Sequence, residues 1–398
     1  MKTKKTKSER IKSFRFQHIY LENWQNFPKV DEDLQRRVFL VGPNASGKSN
    51  FLNVFRFLHD IAAVGGGLQP AVEKRGGVSR LRAWAARRYS DILIRVRIEN
   101  GENSSKWEYE ICFSQNKQKQ PIVKSERVIK DGTNILIRPD EDDKKDPRRL
   151  TQTAIQQVNI NHDFRELVDF FTSIRYLHIV PQLIREPDRS TGRKHDPYGG
   201  DFLENIASTV EKTRKARLNK ISEALRVAVP QLKEIILERD EKNGKPHLRG
   251  KYASWRSEGV WQNEDQFSDG TLRLMGLLWA TLDGNGPLLL EEPELSLHPE
   301  VVRYLPQMFH RLQRRTGRQI ILSTHSFDLL RDDGIGLDEV FMLKPTNDGT
   351  NLQSPKQRKQ IEGLLKTGGI SLAEYLIDQT RPERAEQLTF FGDWDNDR

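Results

Sequence analysis

The segment Gly42-Pro43-Asn44-Ala45-Ser46-Gly47-Lys48-Ser49 constrains this chain more than any other. It follows the apolar run Val38-Phe39-Leu40-Val41 and precedes Asn50 to Leu58, whose apolar residues recur at helical spacing. A buried strand, a glycine-rich turn and a helix start are the setting a phosphate-binding loop requires. Glycines let backbone N–H groups turn inward around phosphate oxygens, and the helix N-terminus adds the positive end of its dipole. Gly42 to Asn50 are therefore the candidate nucleotide contacts, with Lys48 reaching the β- and γ-phosphates and Ser49 holding Mg²⁺. A chance match in a glycine-containing loop leaves the flanking strand and helix unexplained.

The 398 residues are enough to bury a large core and predict two lobes rather than one compact unit. Charged residues make up 30% of the chain and the mean hydropathy is −0.71, which predicts a soluble protein. Apolar stretches such as Leu274–Leu282 are too short to span a bilayer. Met1 to Lys7 has no apolar segment behind it, so it does not read as a secretory signal. Cys112 is the only cysteine, which excludes an intrachain disulfide and a cysteine-cluster metal site. A cytoplasmic location follows as the expectation.

The net charge of +9 and the pI near 9.4 are compatible with a polyanionic partner, DNA or RNA. Basic residues gather at Lys2–Lys12, Lys74–Arg88, Lys144–Arg149 and Lys212–Lys220. Each cluster alone reads as a solvated face or, at the terminus, a frayed tail; the four together make nucleic acid a candidate partner.

Pattern changes along the chain divide it. Residues 1–60 read as an N-terminal lobe carrying the phosphate loop. Residues 61–150 read as an antiparallel β subdomain, with alternating runs at Ile92–Ile98, Trp107–Phe113 and Ile122–Ile129. Residues 151–262 read as a helical and mixed insertion, with helical periodicity at Ala154–Ser173 and Phe202–Val229 around the short strand Arg175–Val180. Residues 263–345 alternate helix and strand as a βαβ core does. Residues 346–398 read as a helical extension and tail. The expected fold is α/β, with a mixed central sheet, an antiparallel β lobe and a helical lobe.

Pro287-Leu288-Leu289-Leu290-Glu291-Glu292-Pro293 is an apolar strand delivering two carboxylates at its end, as a Walker B element does. Glu291 would hold the Mg²⁺ shell and Glu292 would orient and deprotonate the attacking water. Phosphoryl transfer rests mainly on positioning and charge neutralisation, so Lys48, a metal carboxylate and a water-orienting acid form a sufficient minimal set. Gln319–Thr324 is another apolar strand, and His325 follows it at the edge where open α/β sheets bind ligands. That place favours a γ-phosphate sensor over a satisfied loop histidine. In Gln266-Phe267-Ser268-Asp269-Gly270-Thr271-Leu272, Ser268, Asp269 and Gly270 open an apolar helix. They read as an anion cradle, as an ordinary helix cap, or as both.

In this order the motifs resemble the ABC-type ATPases of the SMC, RecF and OLD kind. They are particularly similar to the AAA-family ATPases of prokaryotic defence systems, including the RloA-like, PARIS and Septu ATPases. The resemblance covers residues 36–58 and 264–345 well and the middle only in layout. It implies an ABC-type head that dimerises head to head, with Ser268 and Gly270 of one copy closing over ATP held by Lys48 of the other. It places Glu294, Ser296 and His298 in the D-loop against the partner copy. Gln182 is its candidate Q-loop residue and metal ligand, against an exposed loop glutamine. Asp269 stands where the family usually has glycine, and Glu291 where it usually has aspartate.

The expected function is thus Mg²⁺-dependent ATP hydrolysis coupled to dimerisation. The resemblance implies a separately encoded effector, a TOPRIM or HNH nuclease, in anti-phage defence. The other classes are a RecF- or SMC-like DNA-repair or loading ATPase, and a scaffold holding ATP as a structural ligand. Asp393 to Asp397 superficially resembles a metal motif but reads as a tail, and Leu388–Phe391 as a docking motif for the partner.

Overall fold

The computed structural model describes residues 14–86, 91–100, 105–189, 196–255, 259–355, 370–381 and 389. The tail readings at residues 388–397 and the basic run at residues 2–12 lie outside the described residues, Thr389 apart.

Two six-stranded sheets organise the chain. The first is antiparallel, in the order β2-β1-β4-β5-β6-β7. Its strands are β1 Arg15–Trp24, β2 Phe27–Asp33, β4 Ile92–Glu99, β5 Lys106–Gln115, β6 Pro121–Lys130 and β7 Thr133–Arg138. The second runs β15-β14-β3-β13-β12-β8 and is parallel except for its edge strand β15. It comprises β3 Arg37–Val41, β8 Arg175–Leu177, β12 Leu288–Glu291, β13 Ile320–Thr324, β14 Val340–Thr346 and β15 Gly349–Gln353. A third, three-stranded antiparallel sheet holds β9 Leu232–Arg239, β10 Pro246–Tyr252 and β11 Val260–Asn263.

Helices α1 Lys48–Ala62, α2 Leu68–Glu73 and α3 Val78–Leu81 follow β3, and α4 Glu141–Lys145 and α5 Arg165–Thr172 follow β7. After β8 come α6 Pro181–Arg185, α7 Phe202–Ser208 and α8 Glu211–Ala228. The C-terminal half adds α9 Asp269–Leu282, α10 Pro299–Val302, α11 Leu305–Thr316, α12 Phe327–Leu330 and α13 Leu372–Thr380.

Two differences from the sequence reading have physical causes. The antiparallel sheet recruits β1 and β2 from the N-terminal segment, with Ile19 opposite Val96 and Leu21 opposite Ile94, so it crosses the expected division at residue 60. Alternation marks a strand but not the sheet it joins. The periodic stretch Ala154–Ser173 is helical only from Arg165, after 3₁₀ turns, and Phe202–Val229 breaks at Thr209-Val210 between α7 and α8.

The parallel sheet is buried on both faces, which explains its unbroken apolar strands. Val38, Leu40, Leu289 and Ile321 pack into a core shared with α1, α5 and the antiparallel sheet. Phe39, Val41, Leu290 and Leu322 pack on the opposite side against α7, α8, α9 and α11. Helix α1 is thus clamped between two sheets, its Phe51 and Phe55 meeting Phe27 and Phe16. Among the described residues no helix is long and apolar enough to cross a membrane.

The register decides where chemistry can sit. Val41 lies opposite Thr324, and Glu291 opposite Ser323, so β3, β13 and β12 end side by side. Loops leaving adjacent carboxyl ends of a parallel sheet form its ligand crevice.

Candidate active site

The phosphate loop is held in shape from outside. Gly47 adopts φ 98°, and a Cβ there would lie 2.0 Å from Asn26 Nδ2, so no side chain fits. Asn26 Nδ2 donates to the Ser46 carbonyl at 3.0 Å and to Thr350 Oγ1 at 2.7 Å. The Thr350 hydroxyl donates to the same carbonyl at 2.8 Å, and Asn50 donates to Asn26 Oδ1 at 2.7 Å. The β1–β2 turn and β15 therefore brace the loop. Gly47 provides no side-chain cap and the first turn of α1 holds no acid, which leaves N–H groups there for an anion.

Lys48 is buried and donates from Nζ to the carbonyls of Gly42 at 2.9 Å and Pro43 at 3.0 Å. Burial lowers its pKa, while the carboxylates of Glu292, Glu291 and Glu294 oppose that shift. His325 Nδ1 lies 3.0 Å from the Gly42 carbonyl and 3.4 Å from Lys48 Nζ.

Three acids at and just after the end of β12 meet three different fates. Glu291 accepts the Ser49 hydroxyl on one oxygen and the Tyr176 hydroxyl on the other. Burial and the Glu291 charge push the Tyr176 phenol far up, so it stays a donor, and the Arg56 guanidinium lies 3.9 Å above its ring. Glu292 takes a left-handed φ of 44°, a conformation uncommon outside glycine, and its Oε1 lies 2.5 Å from His325 Nε2. That hydrogen bond holds its carboxyl below the usual range against the opposing effect of burial. Glu294 is buried; its Oε1 accepts the Thr324 hydroxyl at 2.5 Å and the His325 N–H at 3.3 Å. Burial pushes its pKa up. Neighbouring acids set apart in this way can divide roles between base and neutral donor or acceptor.

The Ser268 corner is built separately. Ser268 Oγ accepts the Thr271 N–H at 3.2 Å and caps α9, so the capping reading holds. A Cβ at Gly270 would stand 2.5 Å from the Ser296 carbonyl, so the loop after β12 packs directly on this glycine. Asp269 accepts from Arg185 at 2.6 Å, and the same guanidinium nitrogen donates to the Phe267 carbonyl at 2.7 Å. His298 Nδ1 accepts the Glu300 N–H at 3.2 Å and caps α10. Gln182 is exposed on α6, where its carbonyl accepts the Glu186 N–H. The residues just before it that reach the end of β12 are Tyr176 and His178, the latter with Nδ1 3.3 Å from the Glu291 carbonyl.

Among the described residues no group of three or more His, Cys, Asp or Glu side chains could hold a metal unaided. The Ser49 hydroxyl and Glu291 carboxylate nevertheless suit Mg²⁺, which takes one or two protein oxygens and completes its shell with phosphates and water.

A family model described as "AAA domain, putative AbiEii toxin, Type IV TA system" matches residues 37–332, more than half of the chain. The chain belongs to this AAA family. No curated protein sequence matches it. Among solved structures, a crystal structure of an SMC head bound to the C-terminal winged-helix domain of ScpA is 14% identical, with a TM-score of 0.54. It covers 87% of this chain and 99% of that one. The Smc head domain with an extended coiled coil bound to the C-terminal domain of ScpA, from Pyrococcus furiosus, is 11% identical with a TM-score of 0.51, covering 89% and 100%. The AAA-family chain therefore has the ABC-type fold of SMC heads.

Sequence reasoning missed the residues that support this AAA-family site from a distance. Tyr176, His178, Asn26, Thr350 and Arg185 all reach it across long chain separations. Only Tyr176 and His178 carried a signal, as polar side chains in the short apolar strand Arg175–Val180.

Proposed function

We propose that this AAA-family chain binds and hydrolyses ATP between two copies of itself and controls a separately encoded effector. The observation that carries the reading is the meeting of Lys48, Ser49, Glu291, Glu292 and His325 at three adjacent strand ends. Phosphates entering the loop replace the Gly42 and Pro43 carbonyls as partners of Lys48. Magnesium, held through Ser49 and Glu291, would neutralise charge developing on the phosphates. Glu292, kept ionised, orients the attacking water and takes its proton once His325 turns toward the γ-phosphate. Ser268 and Gly270 of the opposing copy complete the site. An effector is the finer part of the proposal, supported by the defence-ATPase resemblance, which points to a TOPRIM or HNH nuclease. The SMC heads of this fold were solved with a partner domain bound. DNA or RNA is the polyanion that the net charge of +9 favours.

The test is Glu292→Gln. Turnover of ATP should fall at least about a hundredfold, the lower range for losing a general base. The variant should accumulate as an ATP-dependent dimer by light scattering. Turnover equal to wild type sinks the catalytic assignment.

A further inference from the structure

The weak point of the opposing half-site is Asp269. A helix N-terminus attracts anions through its free N–H groups and dipole. An acid placed at the first residue of α9 offers its own carboxylate to that field. It also repels a phosphate approaching Ser268 and Gly270.

The fold answers this with Arg185. The guanidinium comes from the end of α6 and grips Asp269 Oδ1 at 2.6 Å while donating to the Phe267 carbonyl at 2.7 Å. The same nitrogen thus fixes the backbone just before the cap and the acid just after it. The pair is only partly shielded, the Arg185 and Asp269 side chains being 22% and 42% exposed, so its charge faces the surface on which Ser268 stands. A second cation stands one turn along α9. Arg273 has a buried Nε with no partner among the described residues. Burial lowers its pKa, and the carboxylates of Asp269 and Glu292 oppose that shift. Two guanidinium groups, those of Arg185 and Arg273, therefore act on the Asp269 carboxylate, the first by direct contact.

We propose that Arg185 is a positioning residue that turns the Ser268-Asp269-Gly270 corner into an anion acceptor by neutralising and drawing aside Asp269. This rests on the two-copy ATPase reading and deepens it. Where the corner has glycine in place of Asp269, no such cation is required. Arg185 and Asp269 then form a dependent pair in which the arginine matters only because the acid is present.

That dependence gives the experiment. Wild type, Arg185→Ala, Asp269→Gly and the double variant are compared by ATP turnover and by ATP-dependent dimer mass. Thermal unfolding serves as a check on folding. Arg185→Ala should lower turnover and weaken the dimer roughly tenfold to a hundredfold, the range for a unit charge a few ångströms away at a protein surface. Asp269→Gly is the reference for the double variant, which should recover to within about threefold of it. A purely structural role for Arg185, through the Phe267 carbonyl, predicts equal damage in the single and double variants; that result overturns the proposal. So does an Arg185→Ala protein that behaves as wild type. A wild-type chain that neither hydrolyses ATP nor dimerises removes the ATPase reading itself. Intact wild-type activity with no rescue removes this inference alone.

Discussion

The phosphate-loop corner and the Ser268 corner belong to one molecule but are finished to different degrees. At the first, Lys48 has backbone partners, Ser49 is bound to Glu291, and Asn26 and Thr350 brace the loop. At the second, Ser268 is exposed and its hydroxyl is engaged only within its own helix turn, with Thr271. One corner is pre-organised inside a single chain; the other presents groups outward. Nucleotide affinity should therefore be a property of the single chain, and turnover a property of the pair.

The strongest way to break this contrast is Lys48→Ala, which should weaken ATP binding a hundredfold or more in calorimetry, since a buried charge-assisted contact is lost. Ser268→Ala should leave single-chain ATP affinity within about twofold yet reduce turnover and the dimer association constant roughly tenfold. A parallel loss of affinity would mean that the corners are not separate.

A smaller effect concerns stability. The Glu294 carboxyl has a raised pKa in the folded chain, so folding favours its protonated form. Its ionisation therefore costs stability as pH rises through the ordinary carboxylate range, and the cost is absent below it. Glu294→Gln should raise the melting temperature by about 1–3 °C at pH 7, with the gain vanishing near pH 4. A gain of the same size at both pH values would rule out the protonation origin. The smallest effect is expected at Gln182, which is exposed on α6: Gln182→Ala should keep turnover within about twofold. A tenfold loss would restore it as a site residue.

Much of the site was legible because its parts are local in sequence. A glycine-rich turn after Val38–Val41, two acids after Leu288–Leu290 and a histidine after Ile320–Thr324 each announce a strand end. Parallel packing then brings those ends together. What could not be read are the partners set by tertiary packing. Tyr176 reaches Glu291 across 115 residues, and Asn26 reaches Thr350 across 324. Gln182 attracted attention by residue type, yet the turn of α6 sends it outward, and His178 lies nearer the carboxylates. The antiparallel sheet crosses residue 60 for the same reason: the alternation of Phe14–Leu21 names a strand but cannot say that Val96 lies across from Ile19.

The hairpin of β1 and β2 ends before residue 37, where the family match begins, yet Asn26 at its tip holds the Ser46 carbonyl. A truncated protein trimmed to the matched segment would lose two strands of the antiparallel sheet and uncover Phe51 and Phe55. It would also release the nucleotide loop from its brace. The stretch matched by the family model is thus shorter than the part of the chain that shapes the nucleotide loop, and a truncated protein that keeps the brace must begin upstream of Arg15 and retain Thr350.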